Sequence, residues 1–156
     1  MIRSIRKIDE DFIYHSWLHS VKCPTRAVTP MTRFLIDSLV NSQNSQNSQG
    51  IQIWCPDDDE NHIIGWMAYG KIENTPLLHY AFVKKSFRNN GVGSDLIKSI
   101  YPDRSNQVFC TFWSHHMQIM NARAKWNVKF SANLLPAVIH EIHTKCEGSE
   151  VNRGAA

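Results

Sequence analysis

The feature that most constrains this chain is a short glycine-bearing segment between a strand-like run and a helix-like run. Residues 77–83 (LLHYAFV) have the apolar and aromatic character of a strand, and residues 94–100 (SDLIKSI) carry apolar residues at helical spacing. The segment between them ends in Arg88, Asn89, Asn90, Gly91, Val92 and Gly93. Backbone N–H groups at a helix N-terminus lack intrahelical partners, and glycines let a ligand approach the backbone closely. The sequence therefore predicts a phosphate-binding loop here.

The composition is that of an ordinary globular domain. The chain has 156 residues, of which 42% are hydrophobic and 20% charged, which suits one domain with a real core. Its formal net charge of +3 fits an anionic small ligand as well as a nucleic acid. No apolar run reaches the length of a membrane span and no signal-peptide core follows Met1, so we expect a cytoplasmic protein with no membrane partner. The cysteines are far apart without a C-x-x-C pair, which predicts a reduced protein without a metal site.

The periodicity of the remaining residues predicts a single α/β domain. We predict strands over residues 2–8, 51–54, 62–69, 77–83, 107–113 and 128–135, helices over 9–21, from 29 onward, 94–100, 118–126 and 138–145, and turns at 56–61 and 70–76. Asp9 is expected to cap the first helix. The triplet Asn-Ser-Gln, repeated through residues 41–49, predicts a mobile loop inside a domain of residues 1–146, and 147–156 a flexible tail. The order β-α-α-β-β-β-loop-α-β-α-β predicts one mixed central sheet flanked by helices.

The glycine loop does not fit the two best-known phosphate-binding motifs. It lacks the G-x-G-x-x-G spacing of a Rossmann unit and the Gly-Lys-Ser/Thr ending of a P-loop. Residues 77–100, LLHYAFVKKSFRNNGVGSDLIKSI, instead resemble the acetyl-CoA-binding motif of the GNAT superfamily of acyl-CoA-dependent N-acyltransferases. The predicted element order is similar to that family's fold over residues 1–135. The stretches SWL, IIGWMAYG and KWNVKFSANLL also resemble short GNAT-like proteins encoded by tailed phages, for which the compartment would be the host cytoplasm.

The resemblance implies acetyl-CoA as co-substrate and assigns residues to it. Backbone N–H groups from Arg88 to Gly93 would hold the pyrophosphate. Phe82 and Val83, at the strand end, would pair their backbone with the pantetheine arm. Asn121, in the penultimate helix, falls where the family often has an asparagine in contact with that arm.

Three basic side chains lie near the loop. Lys84, Lys85 and Arg88 have the charge to bind the 3′-phosphate or the diphosphate of the coenzyme. For the two lysines, a solvated surface position is an equally open alternative.

The expected chemistry needs a proton acceptor for the amine and a proton donor for the leaving thiolate. His79 is the candidate base, because strand alternation puts it on the same face as Val83 and its unperturbed pKa suits proton abstraction near neutrality. This position resembles a histidine of arylalkylamine N-acetyltransferases, whose second histidine is Leu77 here. A half-buried structural histidine is the alternative. The family's usual tyrosine acid is Trp126 in this chain, which has no phenol to donate.

Three functions therefore stay open at the level of sequence. The first is an N-acetyltransferase that moves an acetyl group from acetyl-CoA to a primary amine, on a small molecule or a protein. The second is a catalytically inactive module of this fold that binds CoA or interacts with a partner, which Trp126 favours. The third is a nucleic-acid-modifying protein, against which the mild and scattered charge argues. The sequence names neither the amine nor the oligomeric state.

Overall fold

The computed structural model describes residues 1–20, 28–41, 49–72, 75–103, 107–111, 118, 122, 127–131 and 134. The strands and helices are β1 (Ile2–Ser4), α1 (Glu10–Ser20), α2 (Val28–Asn41), β2 (Gly50–Trp54), β3 (Gly65–Ile72), β4 (Thr75–Val83), α3 (Val92–Ile100), β5 (Val108–Cys110) and β6 (Val128–Phe130). Two 3-10 turns, Lys7–Asp9 and Lys85–Phe87, precede α1 and α3. The predicted 138–145 helix, the tail and most of the Asn-Ser-Gln repeat lie outside these residues. Within the described ranges, no helix is both long and apolar enough to cross a bilayer.

The six strands form one mixed sheet, which confirms the predicted fold class. Their spatial order is β1-β2-β3-β4-β5-β6, so each strand lies beside its neighbour in sequence. The first four strands are antiparallel, and β5 and β6 continue the sheet in parallel with β4. Parallel neighbours need a crossover, and α3 supplies it between β4 and β5.

Each face of the sheet is covered by helices. On one face, α1 and α2 bury apolar side chains against β2, β3 and β4: Ile13, Trp17, Leu35, Ile36, Leu39, Ile51, Ile53, Trp66 and Leu77. On the other face, α3 packs against the same strands and β5 through Val92, Leu96, Ile97, Met67, Leu78 and Val108. The sheet is therefore buried on both sides, and β4 runs through the middle of it.

The first strand is shorter than the sequence predicts because a buried carboxylate turns the chain. The Asp9 side chain accepts the N–H of Arg6 at 2.7 Å, and the Asp9 N–H donates to the Arg6 carbonyl at 2.9 Å. This closed turn ends β1 at Ser4 and leaves Ile8 77% exposed. Asp9 also binds the Arg3 guanidinium through both carboxylate oxygens, at 2.7 and 3.0 Å. Its carboxylate therefore joins β1 to the start of α1 and does not act as the simple helix cap that the sequence suggested.

The predicted turn at residues 70–76 is also wrong, since β3 continues to Ile72 and β4 begins at Thr75. Gly70 and Pro76 suggested a turn but sit inside paired strands. The Leu78 carbonyl accepts the Thr111 N–H, so the backbone groups of Leu78 point to the edge of β4 away from β3. Because backbone groups alternate along a strand, Pro76 faces the same edge, and its missing N–H removes no hydrogen bond between β4 and β3. Conversely, β3 begins at Gly65 and not at residue 62, because residues 61–64 still belong to the turn before it.

Candidate active site

The glycine loop lies where the sequence places it, between β4 and α3, and has the backbone expected of a cradle. Asn89 and Gly91 have positive φ values of 68° and 85°, the left-handed conformation that glycine and asparagine tolerate best. Gly91 is the N-cap of α3, and its carbonyl accepts the Asp95 N–H at 2.9 Å. The amides of Val92 and Gly93 precede that first helical bond, so they point out of the helix N-terminus.

Arg88 fixes the loop against the end of β4. Its Nε donates to the Val83 carbonyl at 2.9 Å, so the guanidinium joins loop and strand end directly. Asn89, Asn90 and Gly91 then form an exposed tip. The amides at the start of α3 and the Arg88 guanidinium at the strand end place positive charge on both sides of the tip, which suits a pyrophosphate.

The two lysines beside the loop differ in environment. The Lys84 ammonium lies 5.4 Å from the centroid of the Phe12 ring on α1. It also lines a cavity of about 180 Å³ together with Phe12 and His62. Lys85 is exposed in the 3-10 turn that precedes the loop. Lys84 is therefore directed toward α1, and Lys85 is the lysine with a solvent-facing position beside the loop.

The edge of β4 that leads to the loop has no strand beside it among the described residues. β5 pairs with β4 only at Leu77 and Leu78, and the Thr111 N–H makes one further bond to the Leu78 carbonyl at 3.2 Å. From His79 to Val83, β4 pairs only with β3 on its other side. Within the described residues, the pairing of β4 with β5 therefore ends near Thr111, and from there to the glycine loop β4 has no described strand on that side, which we call its open edge.

Strand alternation determines which backbone groups line this open edge. Phe82 is paired with Trp66, and the Lys84 N–H donates to the Ile64 carbonyl at 2.9 Å, so even-numbered residues here direct N–H and C=O toward β3. The groups on the open edge belong to Ala81 and Val83. Of the two residues assigned to the pantetheine arm, Val83 has the orientation for it, whereas the Phe82 backbone is engaged with β3. Ala81 also directs its backbone groups to this edge, which the sequence did not predict.

His79 lies at a β-bulge where the strands part. Ala68 pairs with Tyr80 and Tyr69 with Leu78, so His79 is the extra residue on β4. A Cβ at Gly70 would lie 2.9 Å from the His79 Nε2, and Gly70 pairs with Leu77, whose side chain packs on the α1–α2 face. His79 therefore lies on that face and Val83 on the α3 face. The expectation that the two share a face is wrong because the bulge shifts the alternation.

The His79 imidazole is enclosed in the protein. It is 0% exposed, and its Nδ1 lies 3.1 Å from the hydroxyl oxygen of Thr111, which is itself 4% exposed. Its Nε2 is buried without a hydrogen-bond partner among the described residues. Burial lowers the pKa of His79 to about 4, because a charged imidazolium loses its hydration there. The ring is therefore neutral at physiological pH.

The two tyrosines near the site have structural partners. The Tyr101 hydroxyl lies 2.9 Å from the Gly70 carbonyl and 2.8 Å from the Leu77 carbonyl, and burial raises its pKa above the usual range. Tyr80 stacks on Trp17 with ring centroids 5.1 Å apart and is 8% exposed. Asn121 and Trp126 lie outside the described residues, so their assignments stay predictions.

In the part of the chain that the structure describes, the fourth strand of a mixed sheet has an unpaired edge that leads to a glycine loop and a helix N-terminus, an arrangement that suits an extended, phosphate-bearing ligand. The sequence profile of the acetyltransferase (GNAT) family matches residues 14–116, and this chain belongs to that family. The match includes the loop and the whole of β4, and it bears out the resemblance read from the motif. No curated protein matches the chain.

One solved structure with a similar fold supports this architecture, and a second is reported beside it. AAC(6')-Iy bound to the bisubstrate analogue CoA-S-monomethyl-acetylneamine is similar with a TM-score of 0.55 and 12% identity, over 83% of this chain and 90% of that one. A histone acetyltransferase HPA2-related protein from Corynebacterium glutamicum is similar with a TM-score of 0.49 and 14% identity, over 80% of this chain and 82% of that one. At such identities the likeness concerns the fold. Nothing in these comparisons supports a phage origin, which stays a prediction.

Proposed function

We propose that this protein is an N-acetyltransferase that transfers an acetyl group from acetyl-CoA to a primary amine. One observation carries the proposal: the open edge of β4, from His79 to Val83, leads directly into the loop at the N-terminus of α3. An extended chain that ends in phosphates can pair with such an edge by hydrogen bonds and place its phosphates on the helix amides. Membership of the GNAT family supports an acyl-CoA in this role.

The residues of the open edge fit the parts of the coenzyme. The amides of Asn90, Gly91, Val92 and Gly93 would receive the pyrophosphate, with Asn89 in the left-handed turn that orients them. The Val83 N–H and the Ala81 carbonyl would pair with the amide groups of the pantetheine arm. Arg88 holds the strand end and the loop at a fixed separation through its bond to the Val83 carbonyl.

The transfer itself needs little from the side chains. The amine nitrogen attacks the thioester carbonyl, a C–N bond forms, and the C–S bond of the tetrahedral intermediate breaks to release CoA as thiolate. A strand N–H directed at the thioester oxygen stabilises the oxyanion, and the Ala81 N–H on the open edge is our candidate donor. The amine proton must leave, and the thiolate is protonated from solvent or from a group outside the described residues.

We propose His79 as the acceptor of the amine proton. Its lowered pKa leaves the ring neutral at pH 7, with a lone pair available. The same burial makes it a weak base and removes it from direct contact with an amine in solution. Proton transfer would therefore require passage through an ordered group between the amine and the imidazole.

The burial of His79 also favours a second function, a CoA-binding module without turnover. A histidine with 0% exposure and a pKa of about 4 satisfies a structural role as well as a catalytic one. This second function uses the same loop and strand edge, so the two proposals differ in turnover and share the binding site.

Thiol release from acetyl-CoA across a panel of primary amines separates the two functions. We expect release that depends on both acetyl-CoA and one class of amine, and a His79→Gln protein should be slower by about 10²-fold, the lower end for loss of a general base. His62→Gln is the matched control, because His62 is exposed and contacts only the Phe87 ring edge among the described aromatic groups. CoA binding without release for any amine would favour the module, and equal rates for the two histidine variants would remove His79 from the mechanism.

A further inference from the structure

Thr111 is a buried polar residue that the expected chemistry does not use, at the end of the described pairing between β4 and β5. Its N–H makes the last described bond between the two strands, to the Leu78 carbonyl at 3.2 Å. Its hydroxyl lies 3.1 Å from the His79 Nδ1, and both side chains are more than nine-tenths buried. Among the described residues, the hydrogen-bond partner of the hydroxyl is the buried imidazole of the bulge residue.

The hydrogen bond between Thr111 and the His79 Nδ1 can run in either direction, and its direction determines whether Nε2 carries the proton of the neutral ring. If the Thr111 hydroxyl donates to Nδ1, the proton of the neutral imidazole is on Nε2. If Nδ1–H donates to Thr111, Nε2 carries a lone pair. Nε2 has no hydrogen-bond partner among the described residues, and a buried N–H without an acceptor is rarer in proteins than an unpaired acceptor. The second direction is therefore favoured.

Gly70 leaves the space into which Nε2 points. A Cβ there would lie 2.9 Å from Nε2, closer than real contacts allow, and 3.3 Å from the Gln49 Cβ. The Tyr101 hydroxyl lies near the carbonyls of Gly70 and Leu77, which fixes the backbone that borders this space. The missing side chain at position 70 thus lets the imidazole pack closely against β3, with Nε2 directed toward Gly70.

We propose that Thr111 is a positioning residue for the acetyl transfer: it accepts the Nδ1–H of His79, holds the imidazole in the tautomer with its lone pair on Nε2, and so fixes the orientation of that lone pair toward Gly70. The inference rests on the proposed function for its catalytic meaning. The tautomer and the role of the Thr111 hydroxyl in fixing it stand on the geometry alone.

Long-range 1H–15N correlation spectra of the histidine side chains test the tautomer without any turnover. With His79 assigned by its disappearance in His79→Gln, we expect a protonated-type shift for Nδ1 and an unprotonated-type shift for Nε2 at pH 7. Thr111→Ser should keep this pattern, and Thr111→Val, which has nearly the same shape without the hydroxyl, should lose it. A proton on Nε2 in the unsubstituted protein overturns the proposal, and so does an unchanged pattern in Thr111→Val.

Kinetics test the positioning role. If the protein turns over, Thr111→Val should lower kcat by about tenfold or more, part of the 10²–10⁴-fold that a general base contributes, with KM for acetyl-CoA unchanged. A rise in KM at constant kcat would instead contradict a positioning role. If no amine is acetylated, the proposed function fails while the spectra still decide the tautomer.

Discussion

Asp9→Asn is expected to lower the free energy of unfolding by about 3 kcal/mol, the largest single loss of stability that we predict. The Asp9 carboxylate is 4% exposed and binds the Arg3 guanidinium, itself 12% exposed, through two hydrogen bonds. Removing one partner of a buried ion pair leaves the other charge desolvated and uncompensated, which costs about 3–5 kcal/mol. Arg3 keeps its bonds to the Glu60 carbonyl, so we expect the lower end. Denaturant unfolding measures the change.

The control for this variant is Lys7→Gln. Lys7 pairs with Glu10 at 2.7 Å, but its side chain is 91% exposed, so the pair is screened by water and its removal should leave the unfolding midpoint unchanged. Equal unfolding midpoints for Asp9→Asn and the unsubstituted protein would contradict the proposal that the buried Arg3–Asp9 ion pair stabilises the fold.

The effect of Asp9 on stability should depend on pH in one direction. Burial alone would raise the pKa of Asp9, but the hydrogen bonds from Arg3 and from the Arg6 N–H hold it below its ordinary value of 3.8. A carboxyl with a depressed pKa in the folded state contributes its full stability above the unfolded value and loses it as the pH falls through the folded value. The difference in free energy of unfolding between Asp9→Asn and the unsubstituted protein should therefore be constant above about pH 5 and should shrink as the pH falls below 3.8.

Gly65→Ala is expected to weaken CoA binding by about tenfold or more, although residue 65 lies on β3 and carries no proposed contact to the coenzyme. A Cβ at position 65 would lie 2.9 Å from the Phe82 carbonyl oxygen and 3.0 Å from the Val92 Cγ1. The first is backbone of β4 and the second belongs to the first residue of α3, so the methyl group would separate the strand end from the helix N-terminus. Overpacking of this kind costs about 1–3 kcal/mol of stability as well.

Gly50→Ala is the matched control, the same substitution in the neighbouring strand. Its Cβ would meet the Tyr69 hydroxyl at 3.3 Å, the far end of a side chain that can move. We expect unchanged CoA affinity and a stability change within about 0.5 kcal/mol. Calorimetric titration of both variants with CoA measures the contrast, and equal affinities would show that the separation of β4 from α3 does not control the site.

The loop and the fold class are predictable from sequence because their signals are local. The order of strand-like and helix-like runs defines the mixed sheet, and the spacing of Gly91 and Gly93 marks a helix start that can hold phosphate. No tertiary contact is needed for either reading.

The parts that sequence did not predict depend on contacts between distant residues. Gly70 suggested a turn, but its missing side chain makes room for the His79 ring from the next strand. Nothing in residues 77–83 marks the bulge at His79, which exists only as a mismatch with β3 and reverses the face expected from alternation. Whether Phe82 or Ala81 directs its backbone to the open edge depends on which strand lies on each side of β4, and no local pattern encodes that.

A CoA titration followed by the backbone amide shifts of 15N-labelled protein shows directly whether CoA occupies the loop and the open edge of β4. We expect saturable changes concentrated at Ala81, Val83 and residues 89–94, with Gly50 and its neighbours on β2 unaffected. Dephospho-CoA should perturb the same loop amides, because the pyrophosphate that they bind is still present. Saturable changes that leave the loop and the open edge of β4 untouched, or no binding at millimolar CoA, would contradict this expectation.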